Sequence, residues 1–148
     1  MKMIGLSVML MLLAGCGQQR TGTTIDPQDA AKVARGQAVY AASCAACHGA
    51  RLEGQPDWRR RKPDGRMPAP PHDDSGHTWH HPAEILFGIT REGLVPGKYG
   101  PPGYVSDMPA FGGVLGDADI AAVLSYIQSR WSPEVRRARE EMLRNRGR

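Results

Sequence analysis

Cys44-Ala45-Ala46-Cys47-His48 is the stretch on which the reading of this 148-residue chain turns. Two thiols three residues apart, at the end of a helix, can reach the two vinyl groups on one edge of a porphyrin. The residue that follows then falls beneath the metal. This is the spacing of covalent haem attachment, with Cys44 and Cys47 as thioether donors and the His48 imidazole as a suitable axial ligand for iron. Two rival readings of the cysteine pair fit less well. A thioredoxin-like couple wants a βαβ setting, and half a zinc site wants a second ligand pair at matching spacing. No strand-like alternation surrounds the motif, and the only further zinc ligands are scattered histidines.

Outward from the motif, the sequence reads as helices joined by long loops. Asp26-Pro27 supplies a capping side chain and a first-turn proline, which predicts a helix to about Ser43 carrying Ala30, Val33, Val39 and Tyr40 on recurrent faces. Residues 49–78 are rich in Gly, Pro, Arg and Asp without a sustained period, so something other than regular structure must order them. Pro82 opens a second helix with Glu84 in its first turn and Ile85, Leu86 and Ile89 as its apolar face, ending near Gly93. Residues 95–113 are again irregular. The clearest periodicity follows, from about Asp117 to Trp131: Ile120, Val123, Leu124, Ile127 and Trp131 share a stripe, and Asp117 and Asp119 sit at the positive end of the dipole. Pro133 starts a separate, highly charged helix through Arg144. With 6% aromatic and 41% hydrophobic residues against 18 Gly and 12 Pro, the chain has thin material for an unaided core. A bound apolar cofactor would supply what is missing.

The beginning of the chain reads as a targeting segment. Lys2 and the apolar run Met3 to Leu13 match a signal-peptide core, too short for the roughly 20 apolar residues of a membrane span. Leu13-Ala14-Gly15-Cys16 resembles the lipobox of bacterial lipoproteins, which implies cleavage before Cys16 and lipidation of its thiol. Several buried acyl chains, at ~0.8 kcal/mol per CH₂, anchor stably where one would be marginal. The expected organisation is a signal peptide over 1–15, a lipidated tether over 16–25, a domain over 26–131 and a basic tail over 132–148. The three cysteines Cys16, Cys44 and Cys47 cannot all pair, which makes a disulfide framework of the small-secreted-domain kind a poor reading. The formal charge is +4. Its surplus lies in the tail, where Arg136, Arg137, Arg139, Arg144, Arg146 and Arg148 face Glu134, Glu140 and Glu141, and no nucleic-acid partner is expected. That tail is read as steering a redox partner, lying on anionic lipid, or forming a plain solvated helix.

A haem iron held by one histidine leaves its sixth position to be filled, and candidates are Met67, His72, His77, His80, His81 and Met108. Met108 is favoured because its loop, Ser106-Asp107-Met108-Pro109-Ala110-Phe111, leads directly into the apolar last helix, which can hold the loop over the distal face. His77-Thr78-Trp79-His80-His81 offers ligands for copper, contacts to the haem propionates or a partner surface. The plainer reading is a loop in which Trp79 covers a haem edge and the histidines precede the helix at Pro82.

Across roughly Ala30 to Trp131 the chain resembles the class I c-type cytochromes. The resemblance is carried by Gly36-Gln37-Ala38-Val39-Tyr40, by Cys44-Ala45-Ala46-Cys47-His48-Gly49, by Met108-Pro109-Ala110-Phe111, and by Ile120 to Ile127. It implies a small all-α domain of about three main helices wrapped around one covalently bound haem c. In it, Gly36 and Tyr40 of the first helix would cross Val123 and Tyr126 of the last. It also implies a proline whose carbonyl accepts from the ligating histidine. Pro56, Pro68, Pro70 and Pro71 are candidates, and Pro70 is favoured because Pro68-Ala69-Pro70-Pro71 looks like the proline-rich stretch of similar bacterial cytochromes. The function implied is one-electron transfer between redox protein partners by His/Met-ligated haem in the cell envelope, without a small-molecule substrate. Two alternatives stay open: a haem enzyme or sensor with a displaceable distal ligand, and a periplasmic copper-handling protein using the His77 to His81 cluster.

Overall fold

The structure is a computed structural model that describes residues 23–146; the leader and Cys16 lie outside the described residues. Five α-helices follow one another: α1 (Ala30–Ser43), α2 (Ala45–His48), α3 (Ala83–Glu92), α4 (Asp117–Ser129) and α5 (Pro133–Arg146), with a 3₁₀ turn at Thr78–His80 before α3. No helix among the described residues is long and apolar enough to cross a membrane.

The first helix begins later than Asp26-Pro27 suggests. Asp29 is the cap, its carboxylate accepting from the Lys32 amide, while Asp26 accepts from Gln28 in a local turn. Two aspartates compete for one helix start, and the one whose oxygen meets an amide three residues on prevails. The Asp26 amide instead donates to Ser125 Oγ at 2.9 Å, and Ile25 packs against the core, so the last residue assigned to the tether belongs to the domain.

α1 and α4 cross at Gly36. A Cβ there would overlap the carbonyl of Ala122 and lie 2.9 Å from Tyr126 Cβ, so only a glycine permits this approach. Ala122, one residue before Val123, is therefore what meets Gly36. Tyr40 and Tyr126 pack with ring centroids 5.5 Å apart. α4 is more than a striped surface helix: every residue from Ile120 to Ile127 is buried. α1 covers one side, α3 also packs against it, and Ser125 satisfies its hydroxyl on Ala121 O. In α3, Leu86, Gly88 and Thr90 are buried, whereas Ile85 and Ile89 are only half-buried. The helix turns this face inward because Gly88 sits directly against the Tyr99 hydroxyl, where a Cβ would not fit.

Close backbone contacts order the two long loops. Gly54 seats on Pro70 and Pro71, Gly76 seats on the Pro71 carbonyl, and the His72 amide donates to Leu52 O at 2.7 Å. The second loop is fastened at one end to the last turn of α3, through Phe111 N to Thr90 O and Gly112 N to Arg91 O. At the other end it is bridged to the first loop, Met67 pairing with Ser106 while Lys62 and Arg66 hold Asp107.

α5 is docked rather than a detached tail. Arg139, 7% exposed, donates to the carbonyls of Trp79 and His81 and stacks over the Trp131 ring, and Asp74 accepts from the Ser132 amide at 3.0 Å. Among the described arginines of the tail only Arg139 is buried, and its guanidinium serves two carbonyls at the end of the 3₁₀ turn.

Candidate functional site

The site grows out of the join between α1 and α2. Cys44 closes α1 with its amide on Tyr40 O and starts α2, so Cys47 and His48 follow within one further turn, both amides donating to Cys44 O. Gly49, at φ +80°, ends α2 in a conformation that L side chains rarely adopt. The Tyr40 hydroxyl, buried in the α1–α4 interface, donates to Gly49 O at 2.9 Å and lies 3.3 Å from His48 O. The helix crossing thus fixes the turn that presents His48.

His48 is 7% exposed, and its Nδ1 donates to Pro70 O at 2.8 Å. A carbonyl can only accept, so the proton sits on Nδ1 and the Nε2 lone pair is free; among the described residues Nε2 has no partner. Burial lowers the His48 pKa, which keeps the ring neutral and able to coordinate. Of the four candidate prolines, Pro70 is the one whose carbonyl meets this ring.

His72 stacks on His48 with ring centroids 4.0 Å apart, donates to or accepts from Thr78 Oγ1 at 2.8 Å, and gives its carbonyl to the Trp131 indole at 2.9 Å. A ring lying flat against the His48 imidazole could not also stand across an iron bound by His48, so His72 does not fit the sixth-ligand role. Sequence reasoning did not foresee this supporting role; the available signal was its place two residues after Pro70.

Cys44 is half-buried, Cys47 is exposed, and neither is paired. Burial, reinforced by Cys47, pushes the Cys44 thiol up to about 11. A redox couple of the thioredoxin kind needs a depressed thiol, so the environment argues against that use. Two free thiols one turn apart, followed by a neutral histidine with an open Nε2, fit a covalently attached haem.

Met108 is partly buried, with its amide on Ser106 Oγ at 3.0 Å and its carbonyl close to Gly93 at the end of α3. The loop that carries it is pinned on both sides, and Met67 lies on the adjoining strand of chain through the Met67–Ser106 bridge. Trp79 makes its described contacts elsewhere: its indole donates to Gly76 O and it lines a groove with Ala138 and Met142 of α5. No described contact joins it to Cys44, Cys47 or His48.

His77, His80 and His81 come together, with one ligand nitrogen from each within 4.8 Å of the others. Burial lowers all three pKa values, that of His81 to about 4, with His80 and His77 adding repulsion there. A second basic concentration lies in the first long loop: Arg60, Arg61 and Lys62 line an open cavity of about 520 Å³ with Gln55, Asp57 and Pro68. The run Arg59-Arg60-Arg61-Lys62 was its visible signal.

Comparison with known proteins places these observations. The cytochrome c family model matches residues 33–131, from within α1 to just past the end of α4. A curated relative, the gluconate 2-dehydrogenase cytochrome c subunit of Pantoea cypripedii, is 31% identical over 99 residues, which is 65% of this chain and 20% of the relative. The chain therefore spans about a fifth of that protein's length. No solved structure matches the chain significantly. The matched span contains the α1–α4 crossing, the Cys44 to His48 turn and the Met108 loop, so the chain belongs to the cytochrome c family and its cofactor is a covalently bound haem c.

Proposed function

We propose that Cys44 and Cys47 carry the thioethers, that His48 and Met108 are the axial ligands, and that the protein passes single electrons between redox proteins of the cell envelope. The observation that carries this reading is the 2.8 Å bond from His48 Nδ1 to Pro70 O, which leaves Nε2 as the ring's one free lone pair, immediately after two unpaired cysteines. Haem c, when bound, supplies one-electron Fe(III)/Fe(II) chemistry.

The chain's own residues do the positioning. Pro70 sets the tautomer of His48 and makes it a stronger donor, while the stacked His72 ring restrains its rotation. The loop ties at Thr90, Arg91 and Asp107 hold Met108 against displacement. A soft thioether favours the reduced metal and closes the sixth position, which suits electron transfer and disfavours substrate chemistry. The relative is a dehydrogenase's cytochrome c subunit, which supports a dehydrogenase or another oxidoreductase as electron donor. Lipidation at Cys16 would hold the protein on a bacterial membrane facing the periplasm or the outer surface, and the mass of the mature N-terminus tests it.

Ligation is tested by the variants Met108→Ala and Met67→Ala in haem-loaded protein. The oxidised wild type should show the weak methionine-to-iron band at the red end of the spectrum, and the reduced form should not bind CO. Met108→Ala should lose the band and gain CO binding, and Met67→Ala should keep the wild-type behaviour. The opposite pattern, or a wild type that binds CO at once, defeats the assignment.

A further inference from the structure

We propose that His77, His80 and His81 form a binding site for one divalent transition-metal ion, with three imidazole nitrogens as ligands and Cu(II) preferred to Zn(II). The 3₁₀ turn creates it. Hydrogen bonds from His80 N to His77 O and from His81 N to Thr78 O wind the backbone so that side chains three and four residues apart converge. The nitrogens stand within 4.8 Å of one another. A tetrahedral centre with bonds of ~2.0–2.1 Å needs its donors roughly 3.4 Å apart, so the nitrogens would draw together by up to roughly 1.4 Å on binding.

A second observation points to a ligand. His77 Nδ1 and His80 Nε2 are buried with no hydrogen-bond partner. Native proteins seldom leave such atoms unmatched, and an ion between the rings would satisfy both at once. The rings are also held in place. Trp58 stacks on His77 at 5.2 Å, and Arg139 clamps the His81 carbonyl.

Neutral imidazoles are the form that coordinates, and burial favours that form in all three. Arg59, Arg139 and Arg146 stand nearby and oppose a dication. Arg139 is held by two carbonyls and Arg59 by the Trp58 face, and since neither contact removes its charge the three nitrogen bonds have to outweigh this repulsion. Nitrogen donors exclude Mg(II) and Ca(II), and for such a set the intrinsic order places Cu(II) above Zn(II). Three protein ligands leave a position for water or another donor, and the groove beside His80, lined by Glu141, Met142 and Asn145, gives access. The three ligands do not include His48 or Met108, so the site does not depend on the axial-ligand assignment.

The test uses the full haem-loaded protein without an affinity tag, because thioether formation removes Cys44 and Cys47 as competing ligands. Cu(II), Zn(II) and Mg(II) are titrated in competition with a chelator of known affinity, and the bound Cu(II) is read by electron paramagnetic resonance. One Cu(II) per chain, nitrogen hyperfine structure, weaker Zn(II) and no Mg(II) are expected. Losing a ligand should weaken Cu(II) by more than the ~10–100-fold typical of losing a supporting group, so the affinity of His77→Ala and of His81→Ala should each fall by at least about 100-fold. The haem spectrum and melting temperature of each single variant report whether it has folded. Absence of stoichiometric binding, or affinity unchanged in both folded variants, overturns the site.

Discussion

Replacing Gly36 by alanine tests the geometry that carries the whole site. The added Cβ would fall on the carbonyl of Ala122 and within 2.9 Å of Tyr126 Cβ, against ordinary contacts of 3.4–4 Å. The obstruction is backbone within the buried stretch of α4, residues 120–127, which no rotamer change can relieve, so α1 and α4 must separate. Overpacking of this kind costs about 1–3 kcal/mol and more where the neighbour is rigid. Rigid backbone puts this case at the upper end, ~3 kcal/mol, and alanine returns ~1 kcal/mol of helix preference, leaving a net loss near 2 kcal/mol. For a domain of this size that corresponds to a melting temperature lower by about 5–12 °C. Separation also withdraws Tyr40 from the turn at His48 and Gly49, so the spectrum of the bound haem should become less homogeneous. Thermal and denaturant unfolding of the haem-loaded variant, followed by haem absorbance and circular dichroism, measures both effects. Gly113→Ala, where nothing lies within 4 Å, is the matched control and should be neutral. A Gly36→Ala protein melting within about 2 °C of wild type refutes the close crossing.

Arg139→Ala should destabilise the protein by about 2 kcal/mol, since it strips a charged donor from two carbonyls and a cation from the Trp131 face. Arg139→Lys should recover only part of this, because a point charge cannot serve both carbonyls as the planar fork does; denaturation midpoints equal to wild type would return α5 to the status of a free tail. The histidine cluster makes stability depend on pH. His77, His80 and His81 have folded pKa values lowered by burial, so between the ordinary histidine range and about 4 the unfolded chain binds more protons than the folded one. Stability is therefore complete above pH ~6.5 and falls as the solution is acidified through that window. Denaturation of chelator-treated protein should show this slope, and a His81→Asn variant should show less of it; an identical slope would mean that His81 does not titrate there.

The haem-attachment turn was legible in the sequence because covalent spacing is local: Cys44, Cys47 and His48 are adjacent on one helical turn whatever the rest of the chain does. Helix positions were legible where periodicity and punctuation agreed, as at Pro82, Gly93 and Asp117. The start of α1 was not, since Asp26 and Asp29 both satisfy the local rule and the Asp26 amide is claimed by Ser125, distant in sequence. Likewise the hydrophobic stripe of α4 was visible, but its burial on every side depends on which helices come to cover it. Arg139 illustrates the same limit in reverse: composition marks it as surface, while packing makes it the peg that holds α5.

The sequence by itself determined the cofactor chemistry and the helical class, because both rest on spacings within a few residues. Only the tertiary structure decided which proline serves His48, which aromatic ring lies on it, and which three histidines converge, because those contacts join segments that no local rule relates. The His48–Pro70 bond spans 22 residues of irregular chain, and its existence depends on Gly54 and Gly76 letting two loop segments touch.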